Sequence, residues 1–191
     1  MRQLTGTLLL ALASFLCGCT PWATYPPIEG AVDISNPALA PIPTLMAEAV
    51  RYVHEQDGGG GEVVLNLPED TPAKVYDKVI EKLGTGRPMQ PGDRQAYHVE
   101  AVRVRAVDAE VDLIHPGNGG APELMTIYFQ QQFLDGWRVQ WHRRWRIRIE
   151  APEVRYVPPP PPEAEPETEP EAEPEAGAAT DPRPDAVSRP T

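Results

Sequence analysis

The 191-residue sequence predicts an α+β fold in which two helices pack on a curved antiparallel sheet of four to five strands. Three observations carry that expectation. Two segments repeat apolar residues at helical spacing, and residues 97–149 read as successive alternating strands. Both chain ends lack an apolar period and are rich in Pro and small or acidic residues. A disordered tether over residues 19–40 and a disordered tail over residues 158–191 are therefore expected to flank one domain over residues 41–157. That span is long enough for a modest core.

The first helix is read in PTLMAEAVRYVHEQ, where Leu45, Met46, Ala49, Val50 and Val53 fall on one stripe and Pro43 suits a first turn. DGGGG at residues 57–61 ends it. The four glycines are not a phosphate loop, because the Lys and Ser/Thr that such a loop needs are absent. EVVLNL, residues 62–67, follows as a short strand. The second helix has Asp70 and Thr71 as candidate caps, Pro72 in its first turn and Gly84 as its stop. Val75, Tyr76, Val79, Ile80 and Leu83 form its apolar stripe.

YHVEAVRVR and DAEVDLIH alternate in opposite phases, so a tight hairpin or a bulge is expected near residues 106–108. The next strand holds Met125, Ile127, Phe129 and Phe133 in one phase. The last is GWRVQWHRRWRIRIE. Its odd positions (Trp137, Val139, Trp141, Arg143, Trp145, Ile147, Ile149) read as the buried face. Its even positions present Arg138, His142, Arg144, Arg146 and Arg148 to water. Arg143 alone breaks the inward set; either it pairs with a buried acid or the strand bulges there.

The N-terminal residues 4–16 are mostly apolar and uncharged, which suits a secretory signal and is short for a membrane span. Leu16-Cys17-Gly18-Cys19 resembles the bacterial lipobox, although a small residue is usual where Cys17 stands. The resemblance implies a signal peptide over residues 1–18, cleavage before Cys19, and lipid such as palmitate on Cys19. Cys17 then leaves with the signal and Cys19 becomes a thioether, which excludes disulfide, redox and thiolate-metal roles for the only two cysteines. Several acyl chains on one residue anchor durably. Thr20 resembles the outer-membrane class of such proteins in Gram-negative bacteria, facing the periplasm.

The tail carries nine acids against two arginines. Its −7 accounts for most of the net charge of −11 and leaves −4 for the rest. Glu and Pro recur in a loose four-residue repeat, which favours an extended polyproline-II rod and so an acidic spacer.

The order helix, strand, helix, meander, together with Gly136-Trp137-Arg138-Val139, resembles the nuclear-transport-factor-like cone fold. That resemblance implies either a small enzyme or ligand binder, or a binding module without catalysis.

Catalytic vocabulary is sparse. His54, His98, His115 and His142 do not have the spacing of a metal pair, and nothing implies a metal or cofactor. His98 and Glu100 could share a face with Asp108, Glu110 or Asp112 as an acid–base set; wet-face residues of a hairpin are the plainer reading. No Ser elbow or dinucleotide fingerprint occurs. Arg with interleaved Trp is nucleic-acid vocabulary. Strict alternation, however, would put the two on opposite faces, and compartment and net charge also speak against nucleic acid. Arg138, Arg144, Arg146 and Arg148 stand as a candidate anion-binding face, and Cys19 as the lipidation site. The expected function is that of a non-enzymatic, lipid-anchored envelope protein: a binding or scaffold module with an acidic Pro-rich spacer. It would meet the membrane through Cys19, and an envelope protein or acidic envelope polymer through the arginines. The alternative is a small ligand-binding protein or enzyme of the cone fold.

Overall fold

The computed structural model describes residues 20–117 and 119–160. The signal-like segment, Cys19 and the acidic repeat from residue 161 lie outside the described residues. The chain divides into two units between Pro159 and Pro160, and every described element lies in the first.

In order, the elements are β1 (Ala23–Tyr25), β2 (Val32–Asp33), α1 (Ile42–Gln56), β3 (Val64–Asn66), α2 (Ala73–Leu83), β4 (Arg87–Pro88), β5 (Tyr97–Arg105), β6 (Asp108–Pro116), β7 (Pro122–Gln132) and β8 (Gly136–Trp145). The α+β class holds, with β5 to β8 forming the antiparallel meander. The sheet itself is larger than four to five strands. It has eight, ordered β2-β1-β5-β6-β7-β8, with β3 pairing β4 and β5. It is also mixed, because β1/β2, β3/β4 and β3/β5 are parallel pairs.

Much of the difference comes from residues expected to be tether. β1 pairs antiparallel with the Val102–Val104 stretch of β5. Tyr25 is buried, and its hydroxyl shares a 2.6 Å hydrogen bond with Thr71 Oγ1. Ala38 is buried too, and Lys78 Nζ donates to its carbonyl at 2.8 Å. From Trp22 onward the Pro-rich stretch therefore belongs to the folded unit; strands of two or three residues are too short to show a period.

α1 buries Leu45, Met46, Ala49, Val50 and Val53 as its spacing dictates. α2 buries Val75, Tyr76 and Val79, and Gly84 closes it in the left-handed conformation, φ 79°. Its start differs from expectation. Pro72 is the N-cap residue and no side chain caps the helix. Thr71 instead donates to the Pro68 carbonyl at 2.6 Å. Facing the helices, the sheet contributes Val99, Val102, Val111, Leu113, Met125, Ile127 and Phe129, all buried. The core is thus aliphatic with Tyr and Phe, and Trp137 only borders it.

The β5–β6 hairpin turns at Ala106 and Val107, with Ala106 at φ 52° and Arg105 paired to Asp108. The irregularity in that pair lies elsewhere, at Glu100 between Val99 and Ala101. Phe133, expected to be in phase with the core residues, is 101% exposed because β7 has ended at Gln132.

The decisive departure is in β8. Phe129 pairs with Val139, yet Tyr128 pairs with Trp141, so Gln140 is an extra residue, a β-bulge. Trp137 and Val139 face the helices as expected. Beyond the bulge every side chain changes face. His142 and Arg144 now point toward α1, where Tyr52 Oη meets His142 Nδ1 at 2.8 Å and Arg144 reaches Gln56 Oε1 at 3.4 Å. Trp141, Arg143 and Trp145 turn to the helix-free side. The strand ends at Trp145 instead of continuing to Glu150.

Candidate functional site

The bulge gives the helix-free face of the sheet its chemistry. Cross-strand pairing sets its rows: Arg105–Asp108–Gln130–Arg138, then Arg103–Glu110–Tyr128–Trp141, then Ala101–Asp112–Thr126–Arg143. Leu124 and Trp145 close the far end. Trp22, just ahead of β1, lies under Arg105, whose guanidinium sits 4.5 Å from the ring centroid.

Tyr128 and Trp141 are stacked face to face, with centroids 3.8 Å apart and planes 5° apart. Trp141 remains 48% exposed and Trp145 39%. Arg143 lies between them, 5.7 Å from the Trp141 centroid and 5.1 Å from that of Trp145. Such cation–π contacts hold a guanidinium flat while leaving its N–H edge free. A relay pins the surface. Trp145 Nε1 donates to Thr126 Oγ1 at 2.9 Å, Thr126 donates to Asp112 Oδ1 at 2.6 Å, and Asp112 Oδ2 holds Arg103 at 2.8 Å. Arg103 also donates to Glu110 at 3.0 Å. Burial works to lower the Arg103 pKa, but Asp112 and Glu110 more than offset that and raise it. Arg103 thus bridges Glu110 and Asp112, one guanidinium against two carboxylates. Among the described residues, Arg105 and Arg143 form no ion pair.

The Tyr128–Trp141 stack is a ridge between two open grooves. One, of about 320 Å³, is lined by Trp22, Arg105, Asp108 and Gln140. The other, of about 420 Å³, is lined by Asp112, Thr126, Arg143 and Trp145. Each groove has a Trp wall and, among the described residues, one guanidinium without an ion pair, Arg105 in the first and Arg143 in the second.

The arginine ladder expected on one face is split. Arg138 lies on the open face beside Asp135 at 3.2 Å, Arg144 points to the helix side, and Arg146 and Arg148 follow the end of the strand. The expected acid–base set also does not assemble. His98 is buried against Asn66, with Nδ1 at 2.9 Å from Nδ2, and Glu100 pairs with Arg155 at 3.1 Å. At the opposite end, His115 donates from Nδ1 to Asp57 at 2.9 Å and is buried, and His54 meets the Tyr97 hydroxyl at 3.0 Å. Burial, then the charge of Asp57, push Tyr97 up to about 12, so its hydroxyl stays protonated. These pairs tie α1 to the sheet. Among the described residues, no His/Cys/Asp/Glu cluster could hold a metal, and no helix is long and apolar enough to cross a membrane.

Sequence reading missed Trp22, Arg105 and Tyr128. Tyr128 had a visible mark: it is a large aromatic on the wet phase of its strand. Trp22 had none, being set in a stretch without period.

No family model, curated protein or solved structure matches this chain.

Proposed function

We propose that this protein is a lipid-anchored envelope protein whose folded unit is a non-enzymatic binding module, with the open sheet face as its binding surface. The observation that carries this reading is the Tyr128–Trp141–Arg143–Trp145 group. It combines exposed aromatic area with a guanidinium that has no ion pair among the described residues, the composition of interaction hot spots. The free guanidinia favour an anionic partner, an envelope protein or an acidic envelope polymer. The lipobox-like Leu16–Cys19 pattern supports the anchor, with the outer membrane as the destination in a Gram-negative cell. The Pro/Glu composition of residues 158–191 supports a spacer role for the tail. Against nucleic acid there remains the net charge of −11.

The helix–strand–helix–meander order supports a second reading, a small ligand binder or enzyme of the nuclear-transport-factor-like fold. Leu45, Met46, Val50, Leu113 and Met125, however, fill the space between helices and sheet.

The test is metabolic lipid labelling with envelope fractionation. Wild type and Cys17→Ser should incorporate label and fractionate with the membrane, whereas Cys19→Ser should accumulate as unlabelled precursor. Label on Cys19→Ser overturns the anchor.

A further inference from the structure

We infer that the open face recognises an extended, acidic, proline-rich segment of a partner polypeptide, a polyproline-II ligand bearing regularly spaced carboxylates. The inference rests on the open face being the binding surface, and it names the chemistry of what binds there.

The geometry supplies two requirements. Aromatic ridges flanked by grooves are how a polyproline-II helix is bound, because its proline rings pack on aromatic planes and its conformation is already fixed. Tyr128 and Trp141 make such a ridge, with grooves on both sides. The second requirement is set by Arg105 and Arg143. They stand three strand spacings apart across the sheet and four residues apart along it. At roughly 4.8 Å per strand and 3.3 Å per residue, the diagonal is on the order of 20 Å. A polyproline-II helix has three residues per turn and rises about 3.1 Å per residue. Residues i and i+6 therefore lie on one side, about 19 Å apart. A ligand with Glu at i and i+6 and Pro between places one carboxylate on each guanidinium while its middle, an uncharged residue, crosses between Glu110 and Tyr128.

A flexible polyanion has no such preset spacing. The other cations of the face are occupied: Arg103 by Glu110 and Asp112, Arg138 by Asp135. Asp108, beside Arg105, is the carboxylate of the face without an ion pair among the described residues, so its charge opposes an acidic ligand. The sequence itself shows that such a ligand is encodable. Glu163, Glu165, Glu167, Glu169, Glu171, Glu173 and Glu175 alternate with Ala, Thr and Pro.

The probe is a synthetic peptide with the sequence of residues 158–176, titrated by calorimetry at low salt into the chain from Thr20 onward. Two forms are used, one with the tail kept and one ending at Pro160 so that the chain's own repeat cannot compete. The expected result is saturable binding to at least the shorter form. Arg143→Ala and Arg105→Ala should each weaken it about tenfold, and the pair should abolish it. Arg138→Ala should leave it unchanged, and Asp108→Asn should tighten it. A peptide with every Glu replaced by Gln should bind at least tenfold more weakly. Unchanged melting temperatures of the variants exclude misfolding as the cause.

Polyglutamate of equal charge separates the two levels of the inference. If it binds as well as the peptide, and still depends on Arg105 and Arg143, the open face remains the binding surface and polyproline-II recognition is overturned. If no probe depends on Arg105 or Arg143, both are overturned.

Discussion

His98 should make the stability of the folded unit fall with pH below neutrality. The carboxamide of Asn66 is fixed at both ends: Oδ1 accepts from the Arg155 N–H at 3.0 Å, and Nδ2 donates to the Glu153 carbonyl at 2.8 Å. Nδ2 also meets His98 Nδ1 at 2.9 Å, so that ring nitrogen must be the acceptor and the imidazole must be neutral. A proton on Nδ1 would face an N–H group with Arg155 nearby. Burial, then the Arg155 charge, push the His98 pKa from 6.5 down to about 4. As pH falls through 6.5 the unfolded chain takes up a proton at His98, and the folded chain does not until about 4. The unfolded state holds more protons in that window, so stability is lost as pH falls across it. At about 1.36 kcal/mol per pH unit the whole window is worth at most about 3 kcal/mol. The comparison is wild type against His98→Gln, whose side-chain oxygen accepts from Asn66 without titrating. Urea unfolding followed by far-ultraviolet dichroism at about pH 7.5 and about pH 4.5 should show wild type losing about 2–3 kcal/mol more than the variant. The carboxylates common to both cancel. Parallel curves, or an imidazole that titrates near its ordinary value by NMR, refute the reasoning.

Deleting Gln140 should leave a cooperative fold melting within about 5 °C of wild type, since Val139 still meets Phe129 and Trp141 still meets Tyr128. Deleting His142 should unfold the strand, because Arg143 and Trp145 would turn toward the helices; equal effects of the two deletions in thermal scans would contradict the bulge. Phe129→Ala should cost about 3–5 kcal/mol by urea titration and Phe133→Ala less than about 0.5, although both sit in one sequence phase.

The parts of this fold legible in the sequence are those in which periodicity and burial agree. Val75, Tyr76, Val79, Ile80 and Leu83 repeat over more than two turns and define a helix, and Met125, Ile127 and Phe129 define a strand face. β1 and β2 were hidden because two or three residues cannot display a period, least of all beside Pro26 and Pro27. The site was hidden for a subtler reason. Residues 137–149 alternate almost without a flaw, so the letters themselves argue for one wet and one dry face. Arg143 hinted at a break, but the break lies three residues earlier, at Gln140, where no Gly or Pro marks it. A bulge is a relation between two strands, here Phe129 paired with Val139 and Tyr128 with Trp141, and the letters of one strand alone do not show it.

The same bulge determines what the protein's light emission can report. Of the four tryptophans, Trp22, Trp141 and Trp145 lie on the helix-free face, and only Trp137 leans on the core. Intrinsic fluorescence is therefore an optical probe of that face. A collisional quencher in the solvent reaches most of the emitters without unfolding anything, and an arriving ligand shifts the spectrum while the helices stay silent. In a cooperative denaturation the same tryptophans report the loss of the whole unit, although most of them sit outside its aliphatic interior.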